Sequence, residues 1–74
     1  MSNTTRKIVA LNVQYFRQKL GLSQEALGFK CNMTNVSISR IESAKVGIGI
    51  DALTRIAKAL KVPAYQLLMP EPPE

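Results

Sequence analysis

Asn35, Val36, Ser39, Arg40 and Ser43 are polar or small residues close together in the chain. On a helix starting at Asn35, at about 100° per residue, Val36, Ser39, Arg40 and Ser43 gather around the ~90° direction, with Asn35 at the edge. Ile38 and Ile41 fall near ~300° and ~240°, so the apolar side points the opposite way. The outward side is short, polar and free of acids. Asparagine can pair two-pronged with adenine N6 and N7, arginine with guanine O6 and N7, and valine can meet a thymine methyl. Such a face suits a helix lying in the major groove of double-stranded DNA. By periodicity alone, a solvated helix surface reads the same way.

The elements that must position this face can be read from spacing and caps. Val9, Val13, Phe16 and Leu20 recur at steps of four, three and four, predicting an amphipathic helix over residues 5–20. Gly21 reads as its left-handed cap. Ser23 is placed to cap a second helix from Gln24 to about Lys30, with Ala26, Leu27 and Cys31 inward. Asn32 ends it, Met33 anchors a tight turn, and Thr34 caps a third helix from Asn35 to about Ser43. The third helix therefore follows the second across a short turn, with the dimensions of a helix-turn-helix. Val46 to Gly49 is a loop, and Leu53, Ile56, Ala57 and Leu60 stripe a fourth helix ending at Leu60. Asp51 suits the positive end of that helix. Pro63 is compatible with the first turn of a fifth, short helix through Leu68. The expected fold is all-α: five short helices spanning residues 1–69, with frayed residues 1–4 and a Pro/Glu-rich tail at 70–74.

Composition narrows the function classes. Seventy-four residues make one small domain, at a size where a single core stabilises by only about 3–5 kcal/mol. One cysteine closes no intrachain disulfide, and without histidine a structural zinc site lacks ligands, so no metal and no cofactor is expected. Association with a second copy is the support left. Ten Lys and Arg oppose five Asp and Glu, and two of those acids, Glu71 and Glu74, lie in the tail. Such a basic domain points to a polyanionic partner, nucleic acid or an acidic membrane face. The apolar runs Ile8–Leu11 and Val46–Ile50 are far below the ~18 residues needed to span a bilayer. Arg6 and Lys7 precede an apolar stretch too short for a signal peptide, since Asn12 and Gln14 interrupt it. The cytoplasm, a reducing compartment with Cys31 as a free thiol, fits best.

Three stretches in order carry a family resemblance: Leu20-Gly21-Leu22-Ser23-Gln24-Glu25-Ala26-Leu27, Ile38-Ser39-Arg40-Ile41-Glu42, and Leu53-Thr54-Arg55-Ile56-Ala57-Lys58-Ala59-Leu60. Together they resemble the Cro/lambda-repressor-type helix-turn-helix family over roughly residues 7–68. The overall length most resembles that of restriction–modification controller proteins, and phage Cro-like repressors and antitoxins of the family are similar in size. The resemblance implies a lambda-repressor-like DNA-binding fold and a homodimeric transcriptional regulator on a pseudo-palindromic operator, with RNA polymerase as a further contact. It implies base reading by Asn35, Val36 and Arg40, flanked by Ser37 and Ser39. Phosphate contacts fall to Ser23 and Gln24 at the start of the second helix and to Ser43 and Lys45 beyond the third. Arg17 and Glu42 match a family ion pair joining the first helix to the end of the third. Pairing of subunits is implied through the fifth helix, with Tyr65, Leu68 and Met69, helped by Ile48 and Ile50. Two positions depart from the family pattern. Ala44 stands where glycine is frequent, which opens a different loop path, and Asn35 is shorter than the usual glutamine or arginine.

Other readings are weaker on the residues. A protein-binding module of the antitoxin type would use the apolar fifth helix and leave DNA secondary. An enzyme lacks histidine, a carboxylate pair and a phosphate loop, since Gly47-Ile48-Gly49 has no matching flanks. An amphipathic membrane binder would need apolar stripes that the core already claims. Arg6, Lys7, Lys30 and Lys61 are in reach of phosphates only if their places on the surface bring them there. Tyr15 and Tyr65 lie too far apart in sequence to argue a stacking platform.

Overall fold

The structure, a computed structural model, describes residues 4–70. Residues 1–3 and most of the Pro/Glu tail (71–74) lie outside the described residues. Four α-helices follow one another: α1 (Thr4–Lys19), α2 (Gln24–Cys31), α3 (Asn35–Glu42) and α4 (Ile50–Leu60). A 3-10 turn, Ala64–Leu68, is the last element among the described residues, which contain no strand.

Each boundary has a local cause. Gly21 adopts φ +72°, and the Leu22 N–H reaches back 3.0 Å to the Arg17 carbonyl, closing α1. Leu20, expected on the buried stripe, comes after the last helical residue and is exposed instead. The Ser23 hydroxyl accepts from the Ala26 N–H at 2.9 Å, and Thr34 accepts from the Ser37 N–H at 3.0 Å, so both helices of the motif carry side-chain N-caps. Asn32 ends α2 in the left-handed region at φ +60°, a conformation asparagine tolerates well.

The expected fifth helix is the 3-10 turn. Pro63 stands before it in extended conformation, and the Gln66 N–H bonds the Pro63 carbonyl three residues back at 3.0 Å. Short segments such as these five residues are where this tighter form occurs. The carbonyls at its end are taken up from α1, as described below.

One core joins all the elements. Val9, Val13 and Phe16 from α1 meet Leu27 and Cys31, Ile38 and Ile41, then Leu53, Ile56, Ala57 and Leu60, with Leu67 from the 3-10 turn. Fully burying a side chain such as Leu27 or Ile38 is worth roughly 1.5–3 kcal/mol, which offsets the ordering of short helices that would not persist alone. Of the two leucines in the last turn, Leu67 is buried and Leu68 is not. The core thus takes one face of α3 and leaves the other outside.

Candidate nucleic-acid interface

The outward side of α3 exposes Asn35, Val36, Ser39, Arg40 and Ser43, with Val36 keeping 60 % of its surface. Among the described residues, the side chains of Asn35, Ser39 and Arg40 have no hydrogen-bond or ionic partner. An amide, a hydroxyl and a guanidinium are therefore presented unpaired around one methyl-bearing side chain. Ser37 is different: half-buried, its hydroxyl oxygen accepts from the Thr34 hydroxyl at 3.0 Å. It belongs to the cap of α3 as well as to its flank.

The buried side of α3 is locked by a polar cluster at its C-terminal end. Glu42 is only 7 % exposed. Arg17 grips it two-pronged, Nε to Oε2 at 2.6 Å and Nη2 to Oε1 at 3.0 Å. Its third nitrogen donates to the Leu22 carbonyl at 2.7 Å. Gln24 donates to Glu42 Oε1 at 3.0 Å, and Gln14 donates to the Glu42 carbonyl at 2.8 Å. A planar guanidinium is suited to this geometry in a way lysine is not. The cluster ties α1, the α1–α2 turn, the first residue of α2 and the last residue of α3 into one unit. Gln24 is thus held by Glu42 at the α2 N-terminus, beside exposed Ser23.

Beyond α3 the chain turns through Ala44 at φ +61°, where the Lys45 N–H bonds the Arg40 carbonyl at 3.1 Å. Ala44 itself takes the left-handed conformation that glycine adopts freely. Ser43 donates to the Arg40 carbonyl at 3.1 Å, and Lys45 is exposed beside it. Of the apolar group read as a pairing surface, Ile50, Tyr65, Leu68 and Met69 are exposed, Ile50 at 82 %, whereas Ile48 is half-buried against the core.

Besides Gln14, three positioning residues escape a reading of the sequence. Asn12 is 1 % exposed, and its amide donates to the carbonyls of Leu67 at 2.9 Å and Met69 at 2.7 Å, fixing the 3-10 turn to α1. A polar residue three after Val9 and four before Phe16 lies on the buried stripe, which is the signal that it must find partners there. Gly28 packs against the turn so closely that a Cβ would stand 2.6 Å from the Met33 carbonyl oxygen. A glycine inside a helical stretch signals such an approach. Arg55 on α4 donates from Nε to the Cys31 carbonyl at 3.1 Å, and nothing in the sequence marks it. Burial pushes the Cys31 thiol above its ordinary pKa, with Arg55 pulling partly the other way. Among the described residues no group of His, Cys, Asp or Glu could hold a metal ion, and no helix is long and apolar enough to cross a membrane.

Comparison with known proteins shows the same fold and its family. A hypothetical transcription factor of Neisseria meningitidis serogroup B is 37 % identical over 65 residues, covering 88 % of this chain, which spans 61 % of that relative's length. The control protein C.BamHI of Bacillus amyloliquefaciens is 35 % identical over 69 residues, covering 92 % of this chain and 85 % of its own. The P22 c2 repressor, solved in complex with a synthetic operator, superposes with a TM-score of 0.79 at 28 % identity, over 85 % of this chain and 96 % of that one. Residues 13–67 match the family described as helix-turn-helix, and the chain belongs to that family.

Proposed function

We propose that the chain is a sequence-specific regulator of transcription that binds double-stranded DNA as a homodimer. The observation that carries this reading is the outward face of α3: acid-free, with the side chains of Asn35, Ser39 and Arg40 unpaired among the described residues, and backed by the Arg17–Glu42 cluster. Asn35, Val36, Ser39 and Arg40, with Ser37 at the flank, read base edges in the major groove. Ser23, Gln24, Ser43 and Lys45 fix the register on phosphates at either end of the motif. Ile50, Tyr65, Leu68 and Met69, with Ile48 at the margin, pair two copies. A two-fold pair sets its recognition helices about 34 Å apart, one turn of DNA, so the operator is pseudo-palindromic. Likeness to C.BamHI favours a restriction–modification controller working in the cytoplasm, touching RNA polymerase when bound beside a promoter. The alternative is a Cro-like repressor or an antitoxin-type module whose apolar turn holds a different protein.

Selection of bound sequences from a random duplex pool tests the reading. The expected result is a two-fold symmetric motif and an affinity falling with salt at a slope of about 0.9 per phosphate contact. No enriched sequence and a flat salt response would overturn it. A stable heteromeric complex without self-association would favour the antitoxin alternative.

A further inference from the structure

The C-termini of α2 and α4 meet around an open groove of about 550 Å³, at the opposite end of α2 from Ser23 and Gln24. Lys30, Arg55, Lys58 and Lys61 line it, and no Asp or Glu does. Basic residues are favoured at helix C-termini, where each dipole presents about half a negative charge. That effect does not account for this cluster. Four full charges face two such half-charges, and five of the helix-end carbonyls already have partners. The N–H groups of Asn32 and Met33 bond the Phe29 and Gly28 carbonyls, those of Lys61 and Val62 bond Lys58 and Ala57, and Arg55 takes Cys31. Among the described residues, Lys30, Lys58 and Lys61 have neither an ion pair nor a hydrogen bond from their ammonium groups.

We propose that this groove is a second phosphate-binding surface for double-stranded DNA, separate from the face of α3. The proposal rests on the DNA-binding reading above. Mutually repelling cations without a counter-charge create a positive potential that an external polyanion relieves. The lining matches a phosphodiester backbone better than an acidic protein. Its only apolar side chains are Cys31 and Ala59, so it lacks the aromatic and aliphatic anchors that protein interfaces concentrate. Lysines on flexible stems supply charge without fixed geometry, which is what non-specific phosphate contact requires. α2 separates the groove from Ser23 and Gln24 by about 12 Å of helix, at 1.5 Å per residue, so it meets phosphates outside the set they hold. Those phosphates belong either to the flanks of the same duplex or to a second duplex.

The test is the full chain carrying Lys30→Gln, Lys58→Gln and Lys61→Gln together, with Arg55 kept as the partner of Cys31. Against wild type, the salt slope of binding should drop by about 2–3 per subunit, equally for selected and unrelated duplexes, with the same selected motif. An unchanged melting temperature shows that the fold is intact, and the single variants should each give part of the drop. If the flanks are the ligand, the loss appears on long duplexes and vanishes on one trimmed to the selected site. If a second duplex is the ligand, the variant loses bridging between two differently labelled duplexes. Unchanged slope and unchanged bridging overturn the groove, including the case where an acidic protein partner is lost instead. Wild type that selects no motif defeats the main reading; wild type that selects one, with an indifferent triple variant, defeats the groove alone.

Discussion

The outward face of α3 and the outward face of the Ala64–Leu68 turn are both exposed, and both are anchored from α1, yet their chemistry is opposite. The α3 face is polar, with Asn35, Ser39 and Arg40 unpaired among the described residues, and an ionic cluster behind it, Arg17 with Glu42, Gln14 and Gln24, anchors it. The face at the chain end shows Tyr65, Leu68 and Met69, and one neutral amide, Asn12, fixes it. On the proposed reading, a surface that reads hydrogen bonds must keep its groups free while its backbone stays still, so its support comes from the far side. A surface proposed to pair with its own kind needs apolar area, and of the five residues in the turn only Leu67 is buried.

Arg17→Ala attacks the first anchor and should have the largest effect. It strands the Glu42 carboxylate, nearly buried, and breaking such a pair from one side costs about 3–5 kcal/mol. Chemical denaturation measures the loss, and DNA affinity should fall while the selected motif stays the same. Full wild-type stability in this variant would remove the ionic anchor from the account. Asn12→Ala attacks the second anchor. It takes the donor from the buried Leu67 carbonyl and the partly buried Met69 carbonyl, for a loss of about 2 kcal/mol. Sedimentation should show weaker self-association, whereas the base preference of any DNA still bound is unchanged. Equal damage to preference and to association would mean that the two surfaces are not separately held. Ala44→Gly is the gentlest change and acts in the other direction. Relief of a left-handed alanine should stabilise by about 1 kcal/mol, read as a higher denaturation midpoint at unchanged slope.

The comparison also shows what was legible beforehand. Serine, threonine and glycine at helix ends, and apolar steps of three and four, place all four α-helices to within a residue or so, because caps and stripes act locally. The face of α3 was legible for the same reason, since Ile38 and Ile41 fix its buried direction. The anchoring of the last turn was not, because it is made by an amide fifty-five residues away, from Asn12 to the Leu67 carbonyl. Gln14 and Arg55 were hidden likewise: each donates to a backbone carbonyl on a distant helix, and backbone acceptors leave no mark in the side-chain sequence. Ala44 departs from the frequent glycine, yet the chain still turns in the left-handed region there, with the Lys45 N–H bonded to the Arg40 carbonyl.

The central claim is that the outward side of α3 reads bases, and Arg40→Ala tests it most directly. Its guanidinium has no partner among the described residues, so removing it should leave thermal melting unchanged. Binding to a panel of duplexes varied one position at a time should then lose about 1–3 kcal/mol of discrimination at a single base pair of each half-site. A uniform weakening across every sequence would contradict the account and put Arg40 on the phosphate backbone.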